Sequence, residues 1–270
     1  MRSEVRSALV LGALAGLNVL VQRSRLNPDV LVPAGAAALL AGARASGLSS
    51  VELGLSRRQS ARALPGAAVA AAVTAGAVAA AASLPVASGF RDDSRYADPA
   101  AAVRSAFLTI PLSVAVPEEL LFRSVLDALL RRHLGDVGTT VVQAAAFGLW
   151  HALGAASLSH DNAGVAKAVG SVADGRGRTV TTVAGVVLAT ALAGLGFAVL
   201  RRRTDSVLPG IAVHWALNAA AALAGGIPRR RRASRATTWY LPGCGTAAGR
   251  SCAAQSVSGQ SMSAGRSYFG

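Results

Sequence analysis

The sequence of 270 residues has little charge, few aromatic side chains and almost no cysteine, methionine or lysine. Charged residues make up 15% of the chain, whereas soluble domains usually carry about 25%. Together with a mean hydropathy of +0.45, this scarcity excludes a soluble enzyme of ordinary composition and a disordered chain. The two cysteines, Cys244 and Cys252, match no zinc or redox motif, and we interpret them as incidental thiols.

The basic residues are nearly all arginines, and they give the chain a formal net charge of +14. A charge of this size often indicates nucleic-acid binding. Here, however, the arginines lie in clusters between long apolar runs, which is typical of the loops of a membrane protein. We therefore predict a lipid bilayer as the environment and no nucleic-acid partner.

Long apolar runs predict an all-α, polytopic membrane bundle of about seven transmembrane helices, with six to eight as the range. A helix needs about 20 residues to cross the hydrocarbon core, and one run is short and contains Pro28 and Pro33. The runs are 5–22, 28–45, 64–84, 105–130, 137–157, 179–200 and 207–227.

The arginines also predict an orientation, because basic residues concentrate on the cytoplasmic side of a membrane. With seven spans, the amino end lies on the same side as most of the arginines and is therefore predicted to be cytoplasmic. That side collects Arg2, Arg6, Arg44, Arg57, Arg58, Arg62, Arg131, Arg132 and Arg201 to Arg203. We divide the chain into an N-terminal transmembrane region (1–104), a second membrane domain (105–227) and a disordered, basic, Ser/Gly/Ala-rich tail (228–270).

The run 105–130 contains three ionisable side chains, Glu118, Glu119 and Arg123. Each such group costs about 2.5–3.5 kcal/mol in a membrane helix, so each is a candidate for function. Glu119 and Arg123 are four residues apart and can pair on one helix face, which leaves Glu118 without a local partner. The structural alternative is an inert ion-pair cluster that fixes helix packing.

Two further spans carry polar pairs with the same spacing. Phe147 precedes His151 by four residues, and His214 precedes Asn218 by four. Each pair taken alone also fits a hydrogen-bonded clamp between helices. Glu118 and His151 lie 17 and 16 residues from Gly135, so a hairpin that turns there places them at the same depth.

The same rise per residue places His214 and Asn218 within roughly 10–20 Å of the membrane surface marked by the arginines at 201–203. Four polar groups from three helices can therefore meet. A carboxylate beside an imidazole can deprotonate a water, and a second histidine with an amide can donate to an oxyanion. This chemistry is hydrolysis without a covalent intermediate. Zinc held by Glu118, His151 and His214 is the alternative, but the spacing is not a zinc signature, and we predict no cofactor.

These three motifs, Glu118-Glu119-x-x-x-Arg123, Phe147-x-x-x-His151 and His214-x-x-x-Asn218, resemble those of the CPBP intramembrane glutamic endopeptidases. That family includes CAAX-processing, bacteriocin-processing and abortive-infection proteins. The resemblance implies a catalytic membrane domain over 105–227 that cleaves near the cytoplasmic side.

By that resemblance, Glu118 and His151 activate the water, and His214 and Asn218 form the oxyanion hole. Glu119, Arg123 and Phe147 support them. The segment Glu52-Leu53-Gly54-Leu55 is similar to bacterial members, more loosely.

The expected substrate is a peptide or protein with a hydrophobic or lipidated segment. The arginine- and alanine-rich composition favours a multi-pass protein of a bacterial plasma membrane. Two other functions compete with the endopeptidase. One is a non-catalytic membrane scaffold or immunity protein that keeps the fold. The other is a proton-coupled transporter, for which intramembrane glutamate and histidine are also typical, although the sequence shows no internal repeat.

Overall fold

The structure is a computed structural model that describes residues 2–227, and within this part of the chain all regular elements are helices. The prediction of an all-α protein is confirmed for these residues. The α-helices are α1 (Ser3–Arg23), α2 (Pro28–Ala45), α3 (Arg57–Ser83), α4 (Pro99–Arg104), α5 (Val116–Glu119), α6 (Asp127–Trp150), α7 (Ala152–Ala155), α8 (Leu158–Asp161), α9 (Ala163–Gly170), α10 (Arg176–Thr204) and α11 (Leu208–Gly225). The predicted tail at 228–270, with both cysteines, lies outside the described residues.

The helices α4, α5 and the first part of α6 form one continuous rod, joined by π-helical turns at Ser105–Ala115 and Leu120–Leu126. Pro111 lies within the first of these turns, and Pro117 lies between the two. Proline has no N–H to donate, so the regular pattern of α-helical hydrogen bonds cannot continue through it. Wider turns of this kind are frequent at functional sites.

The rod turns back on itself at Gly135, where the backbone leaves the helical region with φ 63° and ψ −171°. Glycine adopts a positive φ without steric cost, which explains a sharp turn at this residue. Across the hairpin, Gln143 Nε2 donates a hydrogen bond of 3.1 Å to Asp127 Oδ1. The two arms are therefore antiparallel and in close contact, as the residue count from Gly135 predicts.

Within residues 2–227, five helices are long and apolar enough to span a membrane: Ser3–Arg23, Arg57–Ser83, Pro99–Ala155, Arg176–Thr204 and Leu208–Gly225. The third of these contains the whole hairpin and therefore two of the predicted runs. Helix α2, over the run 28–45, is not among the five, so the predicted count of seven is not confirmed. Large apolar side chains such as Val73, Val180 and Leu188 are exposed, as expected for helices that face lipid.

Small residues allow the helices of the bundle to approach each other closely. A side chain on Gly148 of α6 would meet the Val187 carbonyl oxygen of α10 at 2.7 Å, and one on Gly194 of α10 would meet Ala144 at 3.3 Å. Close backbone contact is how helices pack in lipid, where no hydrophobic effect drives them together. This packing of α6 against α10 brings the second motif next to residues of α10.

Candidate active site

Glu118 lies at the centre of the site and is 2% exposed. Its Oε1 accepts a hydrogen bond of 2.9 Å from Trp150 Nε1. Its Oε2 lies 3.8 Å from His151 Nε2 and 3.9 Å from His214 Nε2. The structure therefore brings together one predicted residue from each of the three motifs.

His151 follows the last residue of α6, and its ring is held by the backbone of the same helix. Its Nδ1 lies 2.8 Å from the carbonyl oxygen of Phe147. A carbonyl oxygen can only accept, so Nδ1 carries a hydrogen. In the neutral ring, Nε2 is then an acceptor, and it faces the acceptor Oε2 of Glu118.

His214 is held by the second glutamate of the first motif. Its Nδ1 lies 3.1 Å from Glu119 Oε1, and its ring stacks on Phe197 with 5.2 Å between centroids and 19° between planes. An ionised carboxylate accepts only, so Nδ1 carries the hydrogen here too. His214 can therefore donate from Nε2 only as the doubly protonated imidazolium.

Glu119 and Arg123 form a fully buried ion pair, with 3.3 Å between Oε1 and Nη1. The guanidinium lies 4.0 Å from the ring centroid of Phe147 and 4.9 Å from that of Phe197. Its Nη2 also donates to the Gly194 carbonyl at 3.3 Å. Cation–π contacts strengthen when the cation is desolvated, so this arginine links its own helix to α6 and α10.

Asn218 is the predicted site residue that the structure does not bring into this network. It lies one turn beyond His214 in α11 and is partly exposed. Within residues 2–227, no hydrogen bond is assigned to its side-chain amide. Its spacing from His214 nevertheless places it on the same face of α11.

The family model described as Type II CAAX prenyl endopeptidase Rce1-like matches residues 100–220, a segment that contains all three motifs. Residues 100–220 are therefore similar to this family over somewhat less than half of the chain. The match confirms the resemblance to CAAX-type proteases that the motifs indicate, and with the apolar helices it supports an integral membrane protease. No curated protein and no solved structure matches the chain.

The site includes residues that the sequence analysis missed. Trp150, which binds Glu118, immediately precedes His151, and Phe197 stacks on His214 from α10. The sequence feature that could have identified Trp150 is its indole N–H, because this donor needs a partner when it is buried in a membrane span. Asn18 of α1 is a third missed residue: its Nδ2 donates to the Trp150 carbonyl at 2.5 Å. A lone asparagine in the run 5–22 is the signal that could have found it.

Arg201, which the sequence analysis counts with Arg202 and Arg203 among the arginines of the cytoplasmic side, is buried. It is 4% exposed, its Nε donates to the Arg123 carbonyl at 3.1 Å, and its Nη2 donates to the Glu52 carbonyl at 2.8 Å. The Gly54 carbonyl accepts from Val207 N at 3.2 Å. The loop that contains Glu52 and Gly54 therefore joins the turn between α10 and α11 to the helix that carries the first motif.

Metal ligation was the alternative chemistry for the three converging side chains. Within residues 2–227, no group of three or more His, Cys, Asp or Glu side chains is arranged to hold a metal ion. The absence of a cofactor stays a prediction, and a chelator tests it directly.

Proposed function

We propose that the protein is an intramembrane endopeptidase that hydrolyses a peptide bond with a water activated by Glu118 and His151. The observation that carries the proposal is the separation of 3.8 Å between Glu118 Oε2 and His151 Nε2. Both atoms are acceptors in the protonation states described above. Two acceptors at this distance can share one donor molecule, and a water molecule has two hydrogens to offer.

The geometry allows one water to serve both acceptors. Hydrogen bonds of about 2.8 Å from a single oxygen can reach two atoms that are 3.8 Å apart. A water held in this way directs a lone pair away from both groups and toward a substrate carbonyl carbon. As the new C–O bond forms, one O–H bond breaks and its proton passes to Glu118. The same proton then transfers to the leaving amide nitrogen as the C–N bond breaks.

The surroundings distinguish the two glutamates. Glu119 Oε1 is shared between Arg123 and His214, so this carboxylate is occupied by two cationic or donor groups. Within the described part of the chain, Oε2 of each glutamate has no hydrogen-bond partner, but only Glu118 Oε2 faces the Nε2 atoms of both histidines, at 3.8 Å and 3.9 Å. Glu118 is therefore the carboxylate that can act as a base, and Glu119 positions the imidazole of His214.

The oxyanion that forms on the substrate carbonyl needs donors on its other side. His214 Nε2 lies 3.9 Å from Glu118 Oε2 and can donate as an imidazolium. We infer that Asn218, on the same face of α11, supplies an amide N–H to the same oxygen. Fixed donors of this kind contribute about 10²–10³-fold to the rate in other hydrolases.

An apolar cavity lies next to the residue that binds Glu118. It has a volume of about 320 Å³, lies between α1 and α6, and has Trp150, but neither Glu118 nor the two histidines, among its lining residues. Most of the lining is apolar, with Leu14, Phe122 and Leu153 among its members. We propose that the cavity holds a hydrophobic or lipid-modified part of the substrate beside the scissile bond.

A cleavage assay in liposomes tests the proposal with peptides that have lipidated or apolar ends. We expect the wild type to cut, and Glu118→Gln and His151→Ala to lose activity by more than about 10²-fold. Glu4→Gln, an exposed glutamate in the first turn of α1, is the matched control and should keep full activity.

A chelator should leave cleavage unchanged, and loss of activity with the chelator would favour a metal-dependent mechanism. Full activity in Glu118→Gln would contradict the proposed base. If folded wild-type protein cuts no peptide, the site is a structural polar cluster, and this result favours the non-catalytic scaffold function.

A further inference from the structure

Trp150 determines which oxygen of Glu118 faces the two histidines. The indole N–H is a donor only, and it occupies Oε1 at 2.9 Å. It is also the one donor that the structure places within hydrogen-bond distance of this carboxylate in the described part of the chain. The other oxygen, Oε2, is consequently directed at both imidazoles.

A glutamate needs such a partner because its terminal torsion is soft. Rotation about χ3 is broad and roughly two-fold, so the side chain alone does not set the plane of the carboxylate. Arg123 does not perform this task, since its guanidinium pairs with Glu119. Phe122 packs edge-on against the Trp150 ring, with 5.8 Å between centroids, and limits its movement.

Trp150 is in turn anchored by α1. It is the last residue of α6, and carbonyls in the last turn of a helix have no helical partner. Asn18 Nδ2 donates to the Trp150 carbonyl at 2.5 Å, and the asparagine is buried. Asn18 therefore connects α1, which lies outside the matched segment 100–220, to the residue that binds Glu118.

We propose that Trp150 is a positioning residue that orients the Glu118 carboxylate for water activation, and that Asn18 holds Trp150 in place. This inference rests on the proposed endopeptidase function. It assigns α1 a part in the active site, although no motif lies in that helix. The region 1–99 then contributes to the rate and does not serve only as a membrane anchor.

The test replaces Trp150 in the full chain with 3-benzothienylalanine, which keeps the shape of the ring but has sulfur where the indole has N–H. We expect kcat to fall about 10–100-fold, because a small misplacement of a catalytic group has effects of this size. KM should stay within twofold of the wild type, since the wall of the cavity is unchanged. The matched control is the same replacement at Trp215, whose Nε1 donates to the Ala106 carbonyl at 2.7 Å, and it should keep the wild-type kcat.

A spectroscopic measurement tests the hydrogen bond without reference to activity. In the indole ¹H–¹⁵N NMR spectrum, Glu118→Gln should move the resonance of Trp150 and leave that of Trp215 in place. An unmoved Trp150 resonance overturns the inference even if no substrate is cut. A wild-type kcat in the benzothienyl variant, with Glu118→Gln inactive, overturns it while the endopeptidase function stands.

Asn18→Ala tests whether Asn18 holds Trp150 in place. We expect a smaller loss of kcat, about threefold to tenfold, together with a shift of the Trp150 indole resonance, because one supporting hydrogen bond is removed. Ser7→Ala is the matched control in the same helix, since the Ser7 hydroxyl donates locally to the Ser3 carbonyl. If Asn18→Ala and Ser7→Ala both behave as wild type in rate and spectrum, Asn18 has no positioning role.

Discussion

In the part of the chain that the structure describes, two Glu–Arg pairs differ in burial more than in chemistry. Glu119 and Arg123 are 3.3 Å apart and fully buried, whereas Glu52 and Arg132 are only 2.6 Å apart but 41% and 36% exposed. Water screens the exposed pair, so its shorter distance gives little stability. In the buried pair, either charge left alone would be uncompensated in a medium of low dielectric. Burial therefore decides which of these pairs the site depends on.

The largest effect is expected when the buried pair is broken. Arg123→Met leaves the Glu119 carboxylate without its guanidinium partner and should lower the free energy of unfolding by about 3–5 kcal/mol. Denaturant titration of the purified protein in detergent measures this change. The double variant Glu119→Gln/Arg123→Met should recover part of the loss, because no lone buried carboxylate remains. A single variant within about 1 kcal/mol of the wild type would show that water reaches the pair.

An intermediate effect is expected at Gly54, a buried loop residue that lies against the guanidinium of Arg201. Gly54 has φ +69°, and a Cβ there would lie 2.7 Å from Cζ of Arg201. Gly54→Ala should therefore cost about 1–3 kcal/mol through backbone strain and displacement of the guanidinium.

The control for this substitution is Gly47→Ala in the same loop, at φ +90° with no atom within 4 Å of the added Cβ. The loss of unfolding free energy in Gly47→Ala therefore reports the backbone strain alone. Equal losses in the two variants, measured by the same titration, would mean that the loop does not hold Arg201.

The smallest effect on the free energy of unfolding is expected for the exposed pair of Glu52 and Arg132, and this effect depends on pH. The hydrogen bond from Arg132, followed by those from Ser49, lowers the pKa of Glu52 from 4.5 to about 2. A carboxyl group with a lowered pKa stabilises the fold above its unfolded value, and this contribution is lost as the pH falls from about 4.5 toward 2. Because the pair is exposed, we expect Glu52→Gln to cost less than about 1 kcal/mol at pH 7.

The measurement compares the unfolding free energies of Glu52→Gln and the wild type between pH 7 and pH 3. The difference should shrink below about pH 4.5 and also in high salt, which screens exposed charges. A difference that stays constant over this pH range would show that Glu52 acts through packing and not through its charge.

Much of the architecture could be predicted from local patterns. The hairpin at Gly135 follows from two apolar runs around a glycine, and the pairing of Glu119 with Arg123 follows from the spacing of four residues on a helix. The number of spans could not be predicted in the same way. The run 28–45 contains proline, and it forms a helix that is as long as α11 but not apolar enough to count as a span.

The contacts that could not be predicted join residues far apart in the sequence. Trp150 and Glu118 are 32 residues apart, Asn18 and Trp150 are 132 apart, and Arg201 binds the Glu52 carbonyl across 149 residues. Such contacts depend on how each helix is rotated about its axis in the bundle. Apolar patterns specify this rotation poorly in a membrane protein, because lipid-facing and core-facing residues are both apolar.

The sequence by itself determined the helical class, the turn at Gly135 and the three motifs by which residues 100–220 resemble CAAX-type proteases. These properties follow from residue spacing along one helix and from side-chain chemistry, which need no knowledge of neighbours. Only the tertiary structure decided that Trp150 binds the carboxylate of Glu118, that Arg201 is buried, and that Asn218 stays outside the hydrogen-bonded network. The physical reason is that hydrogen bonds between helices require a specific rotation and depth of each helix, and packing in the assembled bundle sets both.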